Sequence, residues 1–107
     1  MSVEKLFNKF AINVEGEHDK REITIFTLST CMWCKKCKRW LNERNIKYRY
    51  VDVDKIDHSD KRQIINYLGE KFQSRISYPF MICDDKELVV GYDPSRYEEL
   101  MKGGDDE

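Results

Sequence analysis

The sequence lacks an excess of charge of either sign. Its 19 basic side chains nearly balance 20 acidic ones, which leaves a formal net charge of −1. Because no whole-molecule field attracts a polyanion, we expect neither a nucleic-acid partner nor a membrane partner. Any recognition that depends on charge has to be local.

Long apolar runs are also missing. No stretch approaches the roughly 20 apolar residues that cross a bilayer, and the first residues lack the apolar segment of a signal peptide. We therefore expect a cytoplasmic protein. In a reducing compartment, the four cysteines favour catalysis or metal binding over structural disulfides.

No linker, internal repeat or low-complexity segment divides the 107 residues, a length that suits one compact domain. We expect this domain to span residues 23–102 and to be monomeric. Residues 1–22 are predicted to be an N-terminal extension of unknown role, since residues 13–22 are polar and show no clear period. Residues 103–107 are predicted to be a disordered acidic tail.

Strand patterns and helix patterns alternate along the remaining chain. Apolar and β-branched runs predict strands at residues 23–28, 47–53, 79–83 and 87–91. Helical spacing of apolar residues predicts helices over residues 33–43, 59–72 and 94–102, with Gly69 as an alternative end of the second helix. The predicted caps are Ser29 or Thr30 for the first helix, Asp57 or Ser59 for the second and Asp93 for the third, which stops at Gly103. The order is β-α-β-α-β-β-α, an α/β fold with a four-stranded mixed sheet flanked by helices. The first two strands should be parallel, because a helix joins them.

The chemistry is centred on Cys31-Met32-Trp33-Cys34, where the first strand meets the first helix. Unpaired N–H groups and the helix dipole stabilise a thiolate at a helix start, so we expect Cys31 to be the nucleophile. Cys34, one turn further on, is placed to attack the resulting mixed disulfide. No cofactor beyond this cysteine pair is expected. The alternative is a pair of buried cysteines at coincidental spacing.

Cys37 extends the motif to three cysteines at intervals of three residues. This run suggests a second hypothesis, an iron–sulfur cluster or metal carrier that uses Cys31, Cys34 and Cys37. Cys37 also falls on the apolar face of the predicted helix, however, where a free cysteine packs as a small hydrophobic residue. Because neither His18 nor His58 lies at a ligand spacing from the cysteines, we expect no metal site.

The strand and helix order, the C-x-x-C after the first strand, Tyr78-Pro79 before the third and Gly91-Tyr92-Asp93-Pro94 after the fourth resemble the glutaredoxin branch of the thioredoxin fold. The resemblance covers about residues 23–102. It implies a thiol–disulfide oxidoreductase that reduces protein disulfides. It also implies that Pro79 is cis and, with Tyr78, forms one wall of the site, facing the dithiol.

Three further residues are expected to contact the substrate. Trp33 lies between the two cysteines and is the best candidate for an exposed aromatic side chain. The resemblance adds Gly91 and Tyr92. Four basic residues follow the motif, and they either steer an acidic partner, further stabilise the thiolate or form an ordinary solvated helix face: Lys35, Lys36, Lys38 and Arg39. The sequence leaves these interpretations open.

Two departures from the resemblance concern the electron donor. Glutathione-using glutaredoxins carry a basic residue three positions before the first cysteine and a Gly-Gly-x-Asp segment after the fourth strand. Here Leu28 occupies the position of the basic residue. The segment after the fourth strand has a single glycine, Gly91, and Val90 precedes it. The segment is closer to the Gly-Phe-x-Pro of redoxins that receive electrons from a thioredoxin-reductase-type enzyme. We expect such a donor, and poor turnover with glutathione.

Overall fold

The computed structural model describes residues 3–84 and 86–105. Its helices are α1 (Val3–Phe10), α2 (Met32–Glu43), α3 (His58–Phe72) and α4 (Pro94–Asp105). Its strands are β1 (Ile12–Val14), β2 (Ile23–Thr27), β3 (Tyr48–Asp52), β4 (Phe80–Cys83) and β5 (Glu87–Val90), and a 3₁₀ turn, Val53–Lys55, follows β3. The predicted α/β class and the predicted order of elements after residue 22 are confirmed.

The strands form one mixed sheet in the order β1-β3-β2-β4-β5. β2 and β3 are parallel, as predicted, with Phe26 beside Val51. β4 runs antiparallel to β2, and β5 antiparallel to β4. All five residues of β2 are buried, because helices cover both faces of the sheet at its centre.

The predicted four-stranded sheet is wrong by one strand. β1 pairs antiparallel with β3, with Ile12 opposite Tyr50 and Val14 opposite Tyr48. A strand of three residues, of which Ile12 and Asn13 are exposed, shows no alternation from which it can be predicted. Backbone pairing with a distant strand defines it instead.

The predicted N-terminal extension also contributes to the core. Phe7 of α1 is buried, and its ring packs edge to face on Phe26 at a centroid distance of 5.1 Å and on Tyr67 at 6.0 Å. Phe10 and Ala11 pack against the same core, and residues 12–14 pair with β3, so this part of the extension contacts the rest of the domain. Residues 1–2 lie outside the described part of the chain.

The sheet separates two cores. One lies under α2 and α4 and includes Trp40, Leu41, Tyr97 and Leu100. The other lies under α1 and α3 and includes Phe7, Ile64, Leu68 and Phe80. Two apolar layers allow a short chain to cover both faces of its central strand, which fixes the position of the residues at the end of that strand.

Two helix boundaries bear on the predictions. Asp57 caps α3, and its carboxylate accepts a hydrogen bond from the Ser59 N–H at 3.2 Å. α4 continues through Gly103 to Asp105, so the predicted stop at Gly103 is wrong. The remaining tail, residues 106–107, lies outside the described residues. None of the helices in the described ranges is long and apolar enough to cross a membrane.

Candidate dithiol site

The first thiol caps helix α2. Cys31 has an extended backbone conformation, and its Sγ accepts a hydrogen bond from the N–H of Cys34 at 3.2 Å. The prediction that Ser29 or Thr30 caps this helix is therefore wrong. Ser29 instead donates its N–H and its hydroxyl to the Asp54 carboxylate, at 2.9 and 2.6 Å. The Cys31 sulfur therefore lies at the first turn of α2, with a backbone N–H of the helix directed at it.

The two thiols differ in exposure. Cys31 is half-buried, whereas Cys34 is 0% exposed. Burial, and then the interaction with Cys31, raises the pKa of Cys34 to about 12. Cys34 is therefore a buried, protonated thiol at neutral pH. Cys31 is the thiol of the pair that an incoming group can reach. Both thiols are free.

Backbone contacts join the segment before β4 to the segment after β5. The Tyr78–Pro79 peptide bond is cis, and the Pro79 carbonyl accepts a hydrogen bond from the Gly91 N–H at 2.7 Å. Gly91 has φ 85°, a left-handed conformation that glycine adopts without steric cost. Burial, and secondly the nearby Cys34, raise the pKa of Tyr78. The structure thus places Tyr78 close to the dithiol and Gly91 close to Pro79.

An aromatic pair forms the rim of the site. Trp33 is 54% exposed and stacks on Tyr92 with a centroid distance of 5.9 Å. The Lys36 ammonium lies 4.6 Å from the centre of the Trp33 ring. Two residues that the sequence predicted separately as substrate contacts, Trp33 and Tyr92, therefore form one surface.

Sequence reasoning missed Tyr97, which supports this surface from below. Its hydroxyl donates a hydrogen bond to the Gly91 carbonyl at 2.8 Å, and its ring meets that of Tyr92 edge to face at 6.0 Å. Burial, and next the adjacent Cys37, raise the pKa of Tyr97. The sequence signal was the apolar face of the last helix, which marks Tyr97 as buried but does not show where its hydroxyl points.

Cys37 lies in the core and not at the rim. It is fully buried, and burial raises its pKa to about 11. Among the residues that the structure describes, no three His, Cys, Asp or Glu side chains are grouped as a metal site would require. Cys31, Cys34 and Cys37 therefore do not form a ready-made set of ligands for a metal ion.

Comparison with known proteins agrees with this geometry. The glutaredoxin family model matches residues 23–80. A glutaredoxin-like 8.6 kDa protein from the rubredoxin operon of Clostridium pasteurianum is 31% identical over 80 residues, which cover 75% of this chain and 97% of that protein.

Solved structures show the same fold. The glutaredoxin of Methanosarcina mazei Go1 has a TM-score of 0.74 at 27% identity, over 85% of this chain and 86% of that one. Methanosarcina acetivorans methanoredoxin has a TM-score of 0.72 at 31% identity, over 80% and 88% of the two chains.

Proposed function

Because the chain belongs to the glutaredoxin family, we propose that it is a dithiol oxidoreductase that reduces disulfide bonds in other proteins. The observation that carries the proposal is the unequal environment of its two thiols. Cys31 is accessible and receives an N–H at its sulfur, whereas Cys34 is buried and protonated. Thiol–disulfide exchange needs one attacking sulfur and a second held in reserve.

The proposed reaction has two exchange steps. The Cys31 thiolate attacks one sulfur of the substrate disulfide, so that the substrate S–S bond breaks, a mixed disulfide forms and the first substrate thiolate leaves. Cys34 then gives up its proton, for which this departing thiolate is a suitable acceptor, and attacks the Cys31 sulfur. The second substrate thiolate is released. The substrate gains two electrons, and the protein is left with a Cys31–Cys34 disulfide.

The proposed substrate surface lies beside Cys31. The aromatic pair Trp33 and Tyr92 offers contact area to a protein chain, and Tyr78-Pro79 forms the opposite wall by resemblance to the family. Lys35 and Lys36 are exposed, and the first turn of α2 contains no acidic residue. Because these charges are not neutralised within their own turn, we propose that acidic substrate chains are preferred.

We further propose that a thioredoxin-reductase-type enzyme, and not glutathione, reduces the protein. Leu28 packs on the core under α1 and α3, at the position where glutathione-using relatives carry a basic residue. Val90 takes the place of the first glycine after the last strand. Both changes remove groups that serve the carboxylates of glutathione.

A side-by-side turnover assay tests the function and the donor together. The protein would reduce a protein disulfide with either glutathione and its reductase or thioredoxin reductase and NADPH as the electron source, and dithiothreitol would serve as the positive control. We expect faster turnover with thioredoxin reductase. Faster turnover with glutathione would overturn the proposed donor. If the protein gave no acceleration over a blank without it under any of the three conditions, the proposed oxidoreductase activity would be overturned.

A further inference from the structure

A cavity of about 440 Å³ lies at the far end of α2 from the dithiol. Cys31 caps the start of this helix and Arg44 caps its end, so its 12 residues, roughly 18 Å long, separate the two places. The cavity has the volume of a small-molecule site. The proposed disulfide exchange uses none of its lining residues.

One wall of the cavity is held in place by backbone hydrogen bonds. The His18 N–H donates to the Asn45 carbonyl at 2.9 Å, and the His18 carbonyl accepts from the Lys47 N–H at 2.9 Å. Gly16 permits this approach, because a Cβ there would lie 2.6 Å from the backbone of Ile46. The wall is therefore formed before any ligand arrives.

The floor of the cavity is apolar. Trp40 and Ile46 are 5% and 6% exposed, and Met101 lines the same space. The Arg44 guanidinium lies 4.0 Å from the centre of the Trp40 ring, and its Nη1 donates to the Trp40 carbonyl at 3.3 Å. A flat group entering the cavity thus meets an indole, an aliphatic side chain and a positioned guanidinium.

The rim of the cavity is basic. It carries three permanent cations, Lys20, Arg21 and Arg44, and one carboxylate, Glu98. Arg21 is already paired with Asp84 at 2.7 Å and with Glu87 at 3.3 Å, which leaves Lys20 and Arg44 as the cations that face an incoming anion. The Arg44–Glu98 contact is long, at 3.9 Å, and both side chains are largely exposed, so an incoming anion displaces it at little cost. Lys20 is exposed, and no contact to another side chain in the described ranges occupies its ammonium.

We propose that this cavity binds a small aromatic anion, either a phosphate monoester or a carboxylate. The anionic group lies between Lys20 and Arg44, whose guanidinium presents paired donors to such oxygens. The aromatic ring lies against Ile46 and Met101, next to the stacked pair of Trp40 and Arg44. Because charged and apolar contacts both contribute to binding, we expect neither an inorganic anion nor a neutral aromatic ring to bind as tightly as an aromatic anion.

Two-dimensional ¹H–¹⁵N NMR tests the proposal on the full chain. The sequence has only two tryptophans, of which Trp40 lines the cavity and Trp33 lies at the dithiol, so the two indole N–H signals report on the two places separately. We expect phenyl phosphate or benzoate to shift the Trp40 signal saturably, with a Kd below about 1 mM, and to leave the Trp33 signal in place. The stronger of the two probes identifies the anionic group.

A matched pair of lysine variants provides the control. Lys20→Ala removes an exposed side chain and should weaken binding about tenfold, the effect of one charged contact. Lys55→Ala, in the 3₁₀ turn outside the cavity, should leave the affinity unchanged. Equal affinity in the two variants would overturn the proposal. So would an absence of saturation, equal binding of inorganic phosphate, or tighter binding of a tetra-aspartate peptide.

Discussion

The Tyr97 hydroxyl is a small group on which the rim of the dithiol site depends. It donates to the Gly91 carbonyl at 2.8 Å, while the Gly91 N–H is held by Pro79. The Tyr97 ring packs edge to face on Trp40 at 5.3 Å and on Tyr92 at 6.0 Å. Tyr97→Phe keeps the ring and these packing contacts and removes only the hydroxyl.

The expected loss of stability is that of a hydrogen-bond acceptor left without its partner. The Gly91 carbonyl belongs to a half-buried residue, so the lower part of the usual range applies, about 1–2 kcal/mol. For a domain of this size, the melting temperature should fall by roughly 5–15 °C, which thermal denaturation followed by circular dichroism measures. Tyr67→Phe is the matched control, because its hydroxyl accepts from an exposed lysine at 3.3 Å. That variant should change stability by less than about 0.5 kcal/mol.

Tyr97→Phe should also lower the rate of turnover. With Gly91 held on one side only, Tyr92 loses its fixed position beside Trp33, so kcat/KM for a protein disulfide should fall severalfold. The alkylation rate of Cys31 should stay unchanged, because the hydrogen bond at its sulfur comes from Cys34 within α2. A Tyr97→Phe protein that melts with the wild type, or that loses Cys31 reactivity together with turnover, would refute this reasoning.

Three further predictions concern stability. Burial raises the pKa of Cys83 from 9.0 to about 11, so the unfolded chain releases this proton first. Cys83 alone should lower the free energy of unfolding by up to roughly 3 kcal/mol between pH 9 and 11, in addition to the falls caused by the buried thiols Cys34 and Cys37. Cys83→Ala should remove the Cys83 part of the slope in a series of urea titrations; an unchanged slope would contradict the assignment. Asp57→Ala should cost about 1 kcal/mol in thermal melts, through loss of the cap on the Ser59 N–H, and no loss would show that the cap is not formed. Gly16→Ala, whose Cβ would meet backbone at 2.6 Å, should destabilise by about 1–3 kcal/mol. Gly69→Ala, in open space within α3, should stabilise the protein by about 0.5–1 kcal/mol. If Gly16→Ala and Gly69→Ala changed stability in the same direction, the account of these two glycines would be wrong.

The parts that could be predicted from the sequence are those that local signals define. The β-branched run 23–27 and the helical spacing after Trp33 placed Cys31 at a strand-to-helix junction, which is where the structure has it. Asp57 was one of two predicted caps, because a short acidic side chain before a periodic segment satisfies the first N–H groups of a helix.

The parts that could not be predicted depend on contacts between distant residues. β1 exists through its pairing with β3, and its own three residues carry no period. The cap of α2 was assigned to Ser29 or Thr30 because their side-chain oxygens are common capping groups, whereas Asp54 engages Ser29 and leaves the Cys31 sulfur to act as the cap. The hydrogen bond from Tyr97 to Gly91 joins a helix to the turn before it, and no spacing rule indicates the direction of a hydroxyl.

The division of roles between Cys31 and Cys34 is the central claim, and a trapping experiment tests it most directly. Cys34→Ser protein would be mixed with oxidised insulin, quenched in acid and analysed by intact mass and peptide mapping. A stable mixed disulfide through Cys31 is expected, since the thiol that resolves it is gone, and Cys31→Ser should form none. The absence of an adduct, or an adduct through Cys37 or Cys83, would contradict the account.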